Sequence, residues 1–158
     1  MINLLFEKII SLTKKGKFLF ILQIFIILFH FVELNEFFNS PRIIDTSSFN
    51  YYGNMLIISG LIMLLISVRE LGNNFSPFPE PKQNGILITS GIYRIIRHPI
   101  YFSLLIISFG FFINKLIIYY LLLFILLFII LKIKISIEEK EMSLKFSEYK
   151  KYVKNRKF

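Results

Sequence analysis

The chain has 158 residues, room for one domain, and 55% of them are hydrophobic, with a mean hydropathy of +0.64. A soluble core of this size cannot hide that much apolar surface, so the composition excludes an ordinary soluble domain. The formal charge of +9 fits basic residues gathered on one membrane face better than it fits nucleic acid. There is no cysteine, and His30 and His98 are too far apart in sequence and context for a zinc pair, so no metal site is expected.

Residues 1–15 set Leu4, Leu5, Ile9 and Leu12 against Glu7, Lys8, Lys14 and Lys15, a pattern that predicts a short helix lying in the membrane interface. Phe18 to Val32 is an apolar run broken only by Gln23 and His30. Three lysines precede it, as in a signal peptide, but no small-residue cleavage site follows, so a retained span is expected. Within it, His30 reads as a hydrogen-bonded packing residue. A net acidic loop follows, with Glu33, Glu36, Asp45 and one Arg42. Tyr51 to Val68 predicts a second span, whose Gly53, Ser59, Gly60 and Ser67 would let another helix approach closely.

Residues 69–98 form the longest polar stretch, and Pro77, Pro79 and Pro81 preclude a regular helix there. Pro99–Ile113 and Leu116–Leu131 are two further apolar runs separated by Asn114-Lys115. Each is near the short limit for crossing a bilayer, and a tight antiparallel pair is expected. The tail from Lys132 is amphipathic, with nine Lys or Arg against four Glu. The fold expected is therefore an all-α integral membrane protein of about four transmembrane helices, with an N-terminal interfacial helix and a cytoplasmic C-terminal amphipathic helix. Charge asymmetry puts both termini, the 69–98 loop and the tail on the cytoplasmic face.

Two polar clusters meet on that face. One runs from Thr89 through Arg97, His98 and Pro99 to Tyr101; the other is Lys134 with Glu138 and Glu139. Pro99 suits the first position of a helix, whose next backbone N–H groups lack intrahelical partners and favour an anion. The glutamates supply acceptors suited to a ribose diol or an amine. An anion pocket beside an acidic pocket fits a cofactor that carries both charges, such as S-adenosylmethionine. Two blander roles compete: an Arg97-His98 anchor in the headgroups, and a solvated helix face around Glu138.

At these residues the sequence resembles the superfamily of isoprenylcysteine carboxyl methyltransferases and phospholipid methyltransferases, especially its small prokaryotic members. The resemblance runs from Leu71 to Tyr152. It rests on Leu87-Ile88-Thr89-Ser90-Gly91-Ile92-Tyr93, on the Arg-His-Pro-x-Tyr box from Arg97 to Tyr101, on the Glu138-Glu139 pair, and on a tail ending in spaced tyrosines. Asn74 to Pro81 adds to it. The resemblance implies S-adenosylmethionine held by Gly85, Ile86, Leu87, Ile88, Tyr93, Arg97, His98, Pro99, Ile100, Tyr101, Glu138 and Glu139. It implies an acceptor contact at Lys134, and His98 or Glu139 as base if the acceptor is an amine or hydroxyl. It also implies a lipophilic acceptor delivered from the bilayer and residence in a prokaryotic inner membrane. Two departures stand out: Ser147 replaces a glycine in a tail one residue shorter than usual, and Lys134 replaces an arginine and its bidentate fork. The alternatives are an NADPH-dependent membrane reductase related to the steroid reductases, and a non-enzymatic membrane protein that retains the fold.

Overall fold

The computed structural model describes residues 2–32 and 49–154, with side chains from Lys14 onward. Among these residues every regular element is helical: α1 (Ile2–Phe29), α2 (Asn50–Leu71), α3 (Pro99–Lys115), α4 (Ile118–Lys145) and α5 (Tyr149–Lys154). Short 3-10 turns occupy Gly72–Asn74 and Gly91–Arg94. The acidic segment with Glu33, Glu36, Arg42 and Asp45, and the side chains of the N-terminal amphipathic pattern, lie outside the described residues.

α1 departs from the expected interfacial helix followed by a separate span. It is one helix of 28 residues running through Lys14, Lys15 and Lys17. Lysine is a good helix former and no proline interrupts, so nothing local breaks the helix between the two patterns. Gly16 lies at the junction for a packing reason: a Cβ there would come within 3.0 Å of the Pro79 ring. At the other end His30 is closed on both nitrogens, with Nδ1 2.8 Å from the Ile26 carbonyl oxygen and Nε2 2.7 Å from Ser108 Oγ. That is the bonding of a packing histidine.

α2 and α4, of 22 and 28 residues, are long and apolar enough to cross a membrane; α3 is apolar but has only 17 residues, about 26 Å at 1.5 Å per residue. On that measure two helices qualify as spans among the described residues. Their outer faces suit lipid: Leu65 on α2 is 69% exposed, and Ile58, Ile62, Leu122 and Leu126 are also exposed. Gly53, Gly60 and Ser67 form the buried face of α2 against α3. A Cβ at Gly60 would stand 3.1 Å from the Ser103 carbonyl oxygen, and one at Gly110 would stand 2.9 Å from that of Gly53. The small residues therefore set how closely the two backbones approach.

α3 and α4 form the expected hairpin. Leu116, with φ 46°, turns the chain, and its N–H donates to the Phe112 carbonyl at 2.7 Å. α4 continues without a break past Leu131, where the sequence turns polar, so the apolar run and the first part of the tail are one helix. Tyr120, Leu127 and Leu131, each 1% exposed, pack with Leu19 and Ile26 of α1. α4 thus lies between α1 and α3, and its polar end meets the loop that joins α2 to α3.

Candidate active site

The loop from Gly72 to His98 has little regular structure, and side chains pin it in place. Gly72, at φ 49°, ends α2. Asn74 Oδ1 accepts from the Ile86 N–H at 2.8 Å, and its Nδ2 donates to the Leu71 carbonyl at 3.3 Å. That clamp lays Gly85, Ile86, Leu87 and Ile88 along one wall of a pocket. Further on, Glu70 Oε2 accepts from the Ile92 N–H at 2.7 Å. Gly91, at φ 54°, gives the carboxylate room, because a Cβ would collide with it.

This turn presents Tyr93, which is 7% exposed. Its hydroxyl donates to the Ser67 carbonyl at 3.3 Å, so the ring lines the pocket while the oxygen ties the loop to α2. Burial, first, and the nearby Glu138 push the Tyr93 phenol up, and it stays a neutral donor at physiological pH.

The Arg97-His98-Pro99 turn opens α3. Pro99 is its first residue, and Arg97, His98, Pro99, Ile100 and Tyr101 all line the same pocket. The His98 ring stacks on Tyr101, with centroids 5.8 Å apart and planes 14° from parallel. From α4, Glu138 faces the pocket, its Oε2 3.8 Å from His98 Nδ1. Glu139 does not line the pocket. Its Oε1 accepts from Arg97 Nη1 at 2.9 Å and lies 3.3 Å from His98 Nε2. Of the two acids, Glu138 lines the pocket and Glu139 holds Arg97 and His98 from behind. Arg97 Nε is buried with no hydrogen-bond partner, a donor that a ligand acceptor would satisfy.

Lys134 lines another part of the pocket and is 1% exposed. Its ammonium donates to Gln23 Oε1 at 2.6 Å and to the Pro77 carbonyl at 3.2 Å.

Several pocket residues escaped sequence reasoning. Gln23 registered only as a break in an apolar run, and Phe20 as one of many aromatic residues; both reach the pocket from α1. Phe78 packs edge-on against Phe20, with centroids 5.4 Å apart, which seats the proline segment on that helix. The tail closes the pocket from the other side. α4 ends at Lys145 and is capped by Phe146, the Tyr149 N–H returns to the Phe146 carbonyl at 3.1 Å, and the buried Tyr149 and Tyr152 both line the cavity. Tyr152 donates to the Tyr93 carbonyl at 2.5 Å. The shortened tail therefore still packs, and the three-residue spacing of the two tyrosines was the available signal.

Together these residues offer the Glu138 carboxyl, an ordered histidine, a free guanidinium donor and the start of a helix, ringed by phenols, and Glu80 lines the same pocket. Apolar walls adjoin them. Such a site can bind a ligand that carries both charges and hold it beside apolar surface. A model of the phospholipid methyltransferase family matches residues 49–149, from the turn before α2 to the first residue of α5. No curated protein and no solved structure matches the chain.

Proposed function

The chain belongs to the phospholipid methyltransferase family, and we propose that it transfers a methyl group from S-adenosylmethionine to a lipophilic acceptor that reaches the site from the bilayer. The observation that carries this reading is the convergence of Glu138, the His98-Pro99 turn and the Gly85–Ile88 wall on one pocket. The residues fit the cofactor chemically. Glu138 offers acceptor oxygens to a ribose diol or an ammonium; burial pushes its carboxyl up, and the nearby His98 and Lys134 act against that shift. The unpartnered Arg97 Nε and the first backbone N–H groups of α3 offer donors to a carboxylate. Ile86, Leu87 and Ile88 offer an apolar surface to a base. When bound, the cofactor supplies an electrophilic methyl on a sulfonium.

The protein's own contribution is positioning and exclusion of water. Tyr93, Tyr149 and Tyr152 close the pocket with neutral phenols and rings. With Glu139 accepting a hydrogen bond from His98 Nε2–H, Nδ1 is the nitrogen left with a lone pair on the Glu138 side. An amine or hydroxyl acceptor would lose its proton to that nitrogen, and a carboxylate would need no base. Membrane association follows from α2 and α4 together with the family. We place four spans in it and both termini on the cytoplasmic face, on the strength of charge asymmetry.

A calorimetric titration of the detergent-solubilised protein tests the cofactor. Saturable binding of S-adenosylhomocysteine, with no binding of NADPH, is the expected result. Saturable NADPH binding without S-adenosylhomocysteine binding would replace this reading with the reductase one.

A further inference from the structure

A second cavity adjoins the pocket from the tail side. The end of α4 and the whole of α5 enclose an open groove whose lining includes Glu139, Lys140, Ser143, Tyr149, Lys150 and Lys154. Two of these residues join it to the pocket. Tyr149, 4% exposed, lines both cavities, and Glu139 holds Arg97 and His98 from the groove side.

Lys140 comes from α4, Lys150 and Lys154 come from α5, and all three are exposed. Among the described residues none of them forms an ion pair. Glu139 is the acid in the groove, and its charge is met by Arg97 at 2.9 Å and by His98 at 3.3 Å. Glu138 faces the pocket, and neither Glu141 nor Glu148 lines the groove. The lysines there are left without a compensating charge.

α4 carries this groove to the membrane surface. With Lys115 and the corner at Leu116 outside the hydrocarbon, Lys140 lies about 33 Å along α4 from Ile118, at about 1.5 Å per residue. Hydrocarbon fills about 30 Å and the headgroups extend that to about 40–45 Å, so the groove falls in the headgroup layer. α5 is the element with most to gain from an anion there. It has six residues, too few to be stable alone, and Lys150 and Lys151 follow its first residue, where positive charge opposes the helix dipole. Its Tyr149 and Tyr152 are buried against the pocket.

We propose that this groove binds the phosphate of an anionic lipid from the leaflet on the tail side, and that the lipid braces α5 against α4 and so closes the outer wall of the pocket. Lys140 on one helix and Lys150 and Lys154 on the other share the same phosphate, which ties the helices together through charged hydrogen bonds. That a braced α5 favours the cofactor rests on the methyl-transfer reading; the lipid site does not.

The test uses the full chain in neutral detergent, titrated with dihexanoyl phosphatidylglycerol, dihexanoyl phosphatidylcholine and inorganic phosphate. Wild type is compared with the triple variant Lys140→Gln, Lys150→Gln, Lys154→Gln. A control triple, Lys14→Gln, Lys15→Gln, Lys132→Gln, makes the same change in net charge at exposed lysines outside the groove. Phosphatidylglycerol should bind wild type and the control saturably, and bind the groove triple weaker by roughly tenfold or more. Without lipid, the groove triple should melt no lower than wild type, because its lysines are exposed and repel one another. Equal phosphatidylglycerol affinity in wild type and the groove triple, or equal losses in the two triples, would overturn the site. Phosphatidylcholine bound as tightly by wild type would overturn the anionic charge of its occupant, and inorganic phosphate bound as tightly would overturn the lipid. Hydrogen exchange at the amides of residues 149–154 reads the bracing. Phosphatidylglycerol should slow it in wild type and the control but not in the groove triple, and lipid binding without slowing would overturn the brace. S-adenosylhomocysteine titrated into wild type reads the cofactor separately. Its failure to bind, alongside an intact lipid pattern, would sink methyl transfer and leave the groove standing.

Discussion

At Glu138 the carboxylate lines the pocket, whereas the adjacent Glu139 carboxylate is turned onto Arg97 and His98. Loss of one charged hydrogen bond in a partly dry site costs about 1.5–3 kcal/mol, or roughly tenfold to over a hundredfold in affinity. Glu138→Gln should therefore weaken S-adenosylhomocysteine binding by that factor with little change in Tm, since Gln keeps the shape and one acceptor oxygen. Glu141→Gln, about one helical turn away and outside the pocket lining, is the control and should leave the affinity where it was. Equal small effects at both positions would mean that the acidic end of α4 is only a solvated face. The acidic pair was legible in the sequence through its resemblance; which acid faces the pocket was not. Neighbouring helix positions point about 100° apart, and the phase of α4 is set by Leu127, Leu131 and Lys134 packing inward. Gln23 was illegible for a related reason. A polar residue in an apolar run announces a partner but not which one, and its partner lies 111 positions away.

The helices themselves were readable, because apolar runs and proline punctuation locate them. Their joints were read less well. Lys14, Lys15 and Lys17 look like a boundary by charge, yet the backbone passes through them as helix. The polar turn at Lys132 likewise changes the environment of α4 but not its conformation. The loop before α3 carries no periodic signal, and its shape comes from long-range bonds. Glu70 holds Ile92, Tyr152 holds Tyr93, and Lys145 Nζ donates to the carbonyls of Lys82 and Gln83. Those last contacts require the loop and the C-terminal segment to lie on one side of the membrane. Single cysteines at Lys82 and at Lys154 of this cysteine-free chain should accept an impermeant maleimide from the same side, the cytoplasmic one by charge. Labelling from opposite sides would be incompatible with this fold.

Across the whole molecule the pieces serve one geometry. Glycines and serines pack α2 onto α3, the short corner at Leu116 returns α4 antiparallel, and α1 lies against α4 with Phe20 and Gln23 reaching the pocket. The polar ends of these helices meet the loop and the tail at one pocket, while apolar faces stay outward for lipid. A reactive group on a membrane lipid would meet a cofactor there without either leaving its own phase. The central claim is methyl transfer to such a lipid. It is tested most directly by incubating the purified protein, reconstituted in phospholipid vesicles, with methyl-labelled S-adenosylmethionine and counting label in the organic extract. The account predicts label in the extract well above protein-free vesicles, inhibited by S-adenosylhomocysteine and reduced at subsaturating cofactor in Glu138→Gln. Folded wild-type protein that leaves the extract at the protein-free level, across vesicles of anionic, zwitterionic and fatty-acid-containing composition, would contradict it.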